Sequence, residues 1–191
     1  MRIKMELLSD VIFGNGMSVP GAEDISVLCD EKGFPFYKGG TFKGIFREEM
    51  ERYLSWNGKD TESINAELNR MLGEAGDSET EDKSIFSDFT LSEYVKQEVL
   101  KELGDGSEEI VKDIMTNLRT FTSITEDGVA QEGSLRIARC VNQGLVFYSD
   151  VQCKEKDKNV ISEVISLIKW IGSMRNRGFG KVRISSVEGD E

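Results

Sequence analysis

Apolar and polar residues alternate from the second position onward. Ile3, Met5 and Leu7 share one side, and the apolar run Val11, Ile12, Phe13 follows; a period of two predicts a strand over 2–13. The next clear pattern starts at Thr41, where Phe42, Ile45, Phe46, Met50, Tyr53 and Leu54 recur at three- and four-residue spacing. This is the stripe of an amphipathic helix that Thr41 would cap. Between strand and helix runs a long segment holding six glycines between Gly14 and Gly40 and both prolines of the chain. Its composition predicts irregular backbone, while Val27, Leu28, Phe34, Phe36 and Tyr37 predict that it packs somewhere. Residues 57–83 are polar and acidic, and read as a solvent-facing, mobile insertion with a short helix at 61–73.

Beyond the insertion, SIFSDFTL predicts a strand over 84–91. Helices are expected at 92–103 and 107–118 on either side of GDGS, then strands at 119–124, 133–141 and 144–152, the last two joined at Asn142, Gln143 and Gly144. Residues 159–172 carry Ile161, Val164, Ile165, Ile168 and Ile171 on one stripe. They predict a core helix in which Trp170 serves packing. A glycine- and arginine-rich loop, 173–180, leads to a last strand at 181–186. The order of regular parts is strand, helix, strand, further strands, helix, strand. It predicts one α+β domain over 1–191 with a ferredoxin-like or RRM-like core, an antiparallel sheet with helices on one face.

Charge changes the picture in one respect. The chain has 191 residues and a net charge of −11, which by itself argues against a phosphate-binding surface. The acidity, however, sits in the middle: residues 1–60 carry 8 basic and 10 acidic side chains, 61–118 carry 5 and 15, and 119–191 carry 11 and 10. Both ends can therefore offer cations to a polyanion. Histidine is absent, which removes Ser-His-Asp and Cys-His catalysis and any histidine base or zinc ligand. Cys29, Cys140 and Cys153 are widely spaced and odd in number, so reduced thiols are expected. No apolar run approaches the length of a membrane span, and a soluble, cytoplasmic protein with no membrane partner is expected.

Three constellations could carry chemistry. GSMRNRGFGKVRI, residues 172–184, interleaves glycines with Arg175, Arg177, Lys181 and Arg183, so bare backbone N–H groups and cations are offered together. Arg177, Gly178, Phe179 and Gly180 also match the first half of the RRM aromatic motif. The second is the helix opening Gly39 to Arg47, where Lys43 and Arg47 follow two glycines, a ready anion site without P-loop spacing. The third is the acidic loop Gly21-Ala22-Glu23-Asp24-Ile25-Ser26-Val27-Leu28-Cys29-Asp30, whose carboxylates could hold a divalent metal beside bound phosphate. Phe34, Phe36, Tyr37 and Phe179 could stack bases.

Taken in order, the three segments resemble the RAMP superfamily of CRISPR-associated proteins, in particular the repeated backbone subunit of type III effector complexes. The acidic loop resembles G-x-x-D-x-P-V-x-x-D, with Ser26 at the proline position. Residues 35–47 resemble P-x-I-P-G-S-S-L-K-G-x-L-R, and 172–182 resemble G-G-x-x-S-R-G-x-G-K-V. The resemblance implies an RRM-like core with a thumb-like hairpin near 122–134. It implies that Lys43 and Arg47 grip a guide CRISPR RNA, and that Arg175, Arg177, Gly178, Phe179, Gly180 and Lys181 cradle it. It further implies that Asp24 is catalytic, cutting target single-stranded RNA as the ligand of a divalent metal, magnesium or manganese. Base pairing would supply sequence recognition. The expected partners are guide and target RNA and other effector subunits, copies of the chain itself included.

Three alternatives stay open on the sequence. One is a non-catalytic RAMP subunit that binds only guide RNA and neighbouring subunits. Another is a guide-processing endoribonuclease of the same superfamily, although such enzymes often use histidine. The last is an acidic protein-interaction module that binds no RNA.

Overall fold

The alternation at the start of the chain does form a strand, β1 (Arg2–Leu7), with Ile3, Met5 and Leu7 buried on one face. The computed structural model describes residues 1–14, 23–74, 83–104 and 106–187. Residues 75–82 of the expected mobile insertion, the loop residues Gly21 and Ala22, and Asp105 of the GDGS turn lie outside them. β1 ends six residues earlier than its apolar pattern, because Val11 leaves the sheet and pairs instead with Val141.

The phenylalanine stripe forms α1 (Gly39–Trp56), burying Phe42, Phe46, Met50 and Leu54. Thr41 does not cap it. The helix starts two residues earlier, and the N–H of Gly39 donates to the Asp88 carboxylate at 2.8 Å. A carboxylate from a distant segment thus does what a local Thr hydroxyl was expected to do. α2 (Thr61–Leu72) follows, capped by Asp60, whose carboxylate accepts from the Ser63 N–H at 2.9 Å. Its Ile64, Leu68, Met71 and Leu72 are buried in the main core, so this part of the segment read as solvent-facing covers the core with one side.

The expected strand at 84–91 is divided into β2 (Ile85–Phe86) and β3 (Thr90–Leu91), both paired with the same neighbour. α3 (Glu93–Leu103) and α4 (Glu108–Met115) follow. α4 ends three residues early because Thr116 opens β4 (Thr116–Phe121), which pairs with β5 (Arg136–Val141) from Thr116↔Val141 to Phe121↔Arg136. These two strands and their tip, bridged at Ile124↔Ala130, are the thumb-like hairpin. β6 (Val146–Gln152), α5 (Lys158–Leu167) and β7 (Val182–Val187) complete the chain.

The main sheet runs β2-β6-β1-β7, with β3 also on β6, and its pairings are antiparallel. With β2 and β3 counted as one interrupted strand, the spatial order is fourth, first, third, second. This is the ferredoxin-like arrangement of β-α-β-β-α-β. α1 and α5 cover one face over a core of Ile3, Met5, Phe42, Phe46, Phe147, Ile161, Val164, Ile165 and Ile184. α2 is inserted between α1 and β2; α3, α4 and the thumb are inserted between β3 and β6.

α5 is shorter than the isoleucine stripe suggests. It stops at Leu167, and Ile168 turns to an extended ψ of 112°. The cause is pairing far along the chain: the Ile171 N–H donates to the Gly180 carbonyl at 2.9 Å, and the Val182 N–H to the Lys169 carbonyl at 2.9 Å. Ile168 and Ile171 remain buried, while Trp170 is 38% exposed on the outer side of this turn and bridges Lys181. The glycine-rich loop therefore closes a small hairpin rather than linking a helix to a strand.

Candidate nucleic-acid interface

A second, smaller packing centre lies where the thumb meets the sheet. Ile12, Ala138 and Cys140 are fully buried there, with Ile25, Phe121, Met174 and Phe179 packed around them. Ile25 belongs to the acidic loop, Phe121 and Ala138 to the two thumb strands, and Met174 and Phe179 to the glycine-rich loop. Segments more than 110 residues apart in sequence thus share one set of apolar contacts.

The glycine-rich loop is shaped by backbone geometry. Met174 takes a left-handed conformation (φ 56°), a single turn of 3-10 helix spans Arg175–Arg177, and Gly178 is again left-handed (φ 85°). Gly180, at φ 81°, is buried, and a Cβ there would stand 1.9 Å from the Ile171 carbonyl oxygen. Its N–H donates to the Asp10 carbonyl at 2.8 Å. Arg175, Arg177 and Gly178 are exposed, as is Lys181, whose own N–H donates to the Ser9 hydroxyl at 2.9 Å. Phe179 is half-buried, edge-on to Phe121 with centroids 5.5 Å apart, and the Arg177 guanidinium lies 5.9 Å from the Phe121 centroid. Its ring serves the packing between loop and thumb.

Two open clefts flank Phe121, and Arg177 lines both. One, of about 380 Å³, also presents Asp10, Arg119 and Gln143; the other, of about 440 Å³, presents Thr122, Ser134, Arg136 and Asn176. Cations, hydroxyls and an aromatic edge on open concave surface suit a nucleotide chain, in which phosphates and bases alternate.

Asp10 fastens this end of the sheet to the thumb. Its carboxylate accepts from Arg119 at 2.7 Å, from the Gln143 N–H at 3.0 Å and from the Asn117 amide at 3.2 Å. Burial pushes the Asp10 carboxyl up, but these hydrogen bonds and the charge of Arg119 outweigh it and hold the group below its ordinary range.

Asp24 is exposed at the edge of the thumb. Its N–H donates to the Ile137 carbonyl at 2.8 Å, and its Oδ2 accepts from the Ile137 N–H at 2.7 Å. Glu23, next to it, faces the opposite way and is 5% exposed. It pairs with Arg139, so its charge is neutralised inside the protein rather than turned toward a ligand. Burial pulls the Arg139 guanidinium down, and hydrogen bonds to Glu23 and Asp113 more than offset that, leaving it above its ordinary value. Among the described residues no group of three or more His, Cys, Asp or Glu could hold a metal. One exposed carboxylate does fit a hydrated magnesium ion that takes its remaining ligands from water and substrate phosphate.

Lys43 and Arg47 stand apart from this cluster of loops. Arg47 donates to the Gly73 carbonyl at the end of α2, and Lys43 is half-buried one turn earlier on α1. The start of α1 reaches the glycine-rich loop through Tyr37. The phenol of Tyr37 lies by the Gly172 amide and in the field of Arg175, and burial pushes it up to about 12.

Sequence reading missed Asp10, Arg119 and Arg139 as parts of this site. Arg139 left a signal: it is a charged residue between Ala138 and Cys140, both fully buried in the smaller centre. Asp10 left none, since a Ser-Asp pair after a strand reads as an ordinary turn.

Comparison with known proteins bears on the fold and on the family. The sequence profile of the family described as the RAMP superfamily matches residues 4–183, and no curated protein sequence matches. Among solved structures, the chain is similar to a chain in "Cryo-EM structure of the Type III-B Cmr-beta bound to cognate target RNA". The TM-score is 0.70 at 14% identity, covering 96% of this chain and 95% of that one. It is also similar to a chain in the apo state of Type III-B Cmr-beta, with a TM-score of 0.69 at 14% identity and the same coverage. At such identity the structures speak for the fold, and the profile, spanning nearly the whole sequence, for the family. The chain belongs to the RAMP superfamily, the CRISPR-associated family its three motifs resemble.

Proposed function

We propose that the chain is a guide-RNA-binding backbone subunit of a type III effector complex and that it cleaves target RNA at Asp24. The observation that carries this reading is the meeting of acidic loop, thumb base and glycine-rich loop around Ile12, Ala138 and Cys140. RNA lying along Arg175, Arg177 and Lys181 would pass the thumb close to Asp24. The likeness to a Type III-B Cmr-beta chain bound to cognate target RNA supports it. Lys43 and Arg47, on α1, are a separate pair of cations that would meet the guide elsewhere along its backbone, and copies of the chain and other effector subunits are the protein partners.

In this reading Asp24 holds a divalent metal, magnesium or manganese, which when bound neutralises charge on the scissile phosphate and favours ionisation of the nucleophile. The chain's own cations hold the RNA backbone in line. A new O–P bond forms from a 2′-hydroxyl or water, the P–O5′ bond breaks, and the nucleophile's proton ends on the leaving 5′ oxygen.

The bond from the Ile137 N–H to Asp24 Oδ2 favours a second reading, in which the carboxylate only fastens the loop and the subunit does not cut. Asp24→Asn separates the two, because the amide oxygen still accepts from Ile137 while the anionic metal ligand is gone. In the assembled complex, loss of cleavage by roughly 10²-fold or more with target binding unchanged supports catalysis. Cleavage at the wild-type rate assigns Asp24 to structure.

A further inference from the structure

The ion pair beside Asp24 is placed as a device for aiming it. In an extended segment successive side chains face opposite ways, so Glu23 points into the protein and Asp24 out of it. Glu23 Oε1 accepts from Arg139 Nε, while its Oε2 is buried and has no hydrogen-bond partner among the described residues. Arg139 reaches outward as well, donating from Nη1 to Asp113 at 2.8 Å and to the Thr116 hydroxyl at 2.9 Å. One guanidinium thus ties together the acidic loop, the end of α4 and the first residue of β4. The backbone runs parallel to this tie: Ile25 bridges Ala138, and the Arg139 N–H donates to the Ile25 carbonyl at 2.9 Å.

We infer that Arg139, through its ion pair with the buried Glu23, is a positioning residue that fixes the Asp24 loop to thumb strand β5 and so sets where Asp24 meets the target RNA. This rests on the proposal that Asp24 is catalytic. A buried carboxylate left without its cation is costly, and the chain relieves that cost by lifting the charge toward water. Lifting Glu23 moves Asp24, its immediate neighbour. Because Arg139 sits on the thumb strand itself, the same pair couples any shift of the thumb to the position of Asp24. The pair does not touch the exposed cations of the glycine-rich loop, so grip on the guide is independent of it.

The test uses the assembled complex with guide, complementary target and magnesium, and compares wild type, Arg139→Gln, Arg139→Lys, Glu23→Gln/Arg139→Gln and Asp24→Asn. Arg139→Gln is expected to lower the single-turnover cleavage rate roughly 10–100-fold, since a misplacement of about 1 Å can cost that much, with target affinity unchanged. The double variant strands no charge and should recover most of the rate, and Arg139→Lys should recover it by supplying a cation to Glu23. If Arg139→Gln fails to assemble, the lysine and double variants carry the test, and slow cleavage by both overturns the inference. It is also overturned by wild-type cleavage in Arg139→Gln, or by a loss that only tracks target affinity. Asp24→Asn keeps the two claims apart: full cleavage there removes the catalytic reading itself, whereas an inactive Asp24→Asn beside a fully active Arg139→Gln removes only the role of Arg139.

Discussion

The sandwich core closes on large apolar side chains, with Phe42, Phe46, Phe89 and Phe147 wholly buried between sheet and helices. The thumb base closes, among the described residues, on three fully buried ones, Ile12, Ala138 and Cys140. What it lacks in apolar area it makes up with charge: Asp10 with Arg119, and Glu23 with Arg139. Stability rises with apolar area removed from water, at about 25 cal/mol per Å². Ion pairs add little net stability but fix geometry. The contrast teaches where each task sits. The sandwich supplies a rigid platform, and the thumb base supplies an arrangement of loops specified by direction rather than by bulk.

The widest separation between the two regions should appear on truncating an aromatic ring in each. Phe42 packs at a tilt against Phe89 and Phe86, with centroids 4.6 and 5.5 Å apart, so Phe42→Ala should cost about 3–5 kcal/mol in urea unfolding. Phe121, half-buried on Phe179, should cost about 1 kcal/mol as Phe121→Ala. The smaller loss should instead appear locally, as faster hydrogen exchange at 174–180. Equal losses of global stability would mean that apolar burial holds the two regions alike.

A sharper test within the thumb base uses two glycines of the same loop. Gly178 (φ 85°) has open space where a Cβ would go, whereas at Gly180 (φ 81°) it would meet the Ile171 carbonyl. Gly178→Ala should cost about 1 kcal/mol for the left-handed backbone alone. Gly180→Ala should add about 1–3 kcal/mol for displaced backbone, and should weaken RNA binding more than Gly178→Ala does. Matching losses in chemical unfolding would mean that Gly180 does not hold the loop to Asp10 and Ile171.

How much of this was legible in the sequence follows the same division. The sandwich announces itself because its elements are local patterns: the alternation at Ile3, Met5 and Leu7, and the phenylalanine stripe of α1. The isoleucine stripe predicts too long an α5 because Ile168 and Ile171 stay buried where the backbone of Lys169 and Ile171 pairs with Val182 and Gly180, which helical periodicity cannot distinguish from a further turn. Two of the segments that meet at the site, the acidic loop and the glycine-rich loop, were visible as motifs, but the forces that join them to the thumb were not. Glu23 and Arg139 are 116 residues apart, and no local pattern links them. Nor did the pattern show that Asp88 would cap α1, since a helix start can recruit any carboxylate the fold delivers.

The smallest expected effect concerns Asp10, and it probes whether charge rather than area holds the thumb base. The Asp10 carboxyl lies below its ordinary 3.8 in the folded chain, because hydrogen bonds from Arg119, Gln143 and Asn117 overcome the burial that raises it. A carboxyl lowered by folding contributes its full stability above the unfolded value and loses it as pH falls through the folded one. The difference in urea midpoint between wild type and Asp10→Asn should therefore be constant near neutral pH and shrink below about pH 4, the many other carboxyls cancelling between the two. Since the Arg119 side chain is 55% exposed, solvent screens the pair, and the neutral-pH difference should stay within about 1 kcal/mol. A difference that does not change with pH would mean that Asp10 acts through its hydrogen bonds alone, which the amide can partly reproduce. The thumb base would then be held by polar geometry, with charge adding nothing at this corner.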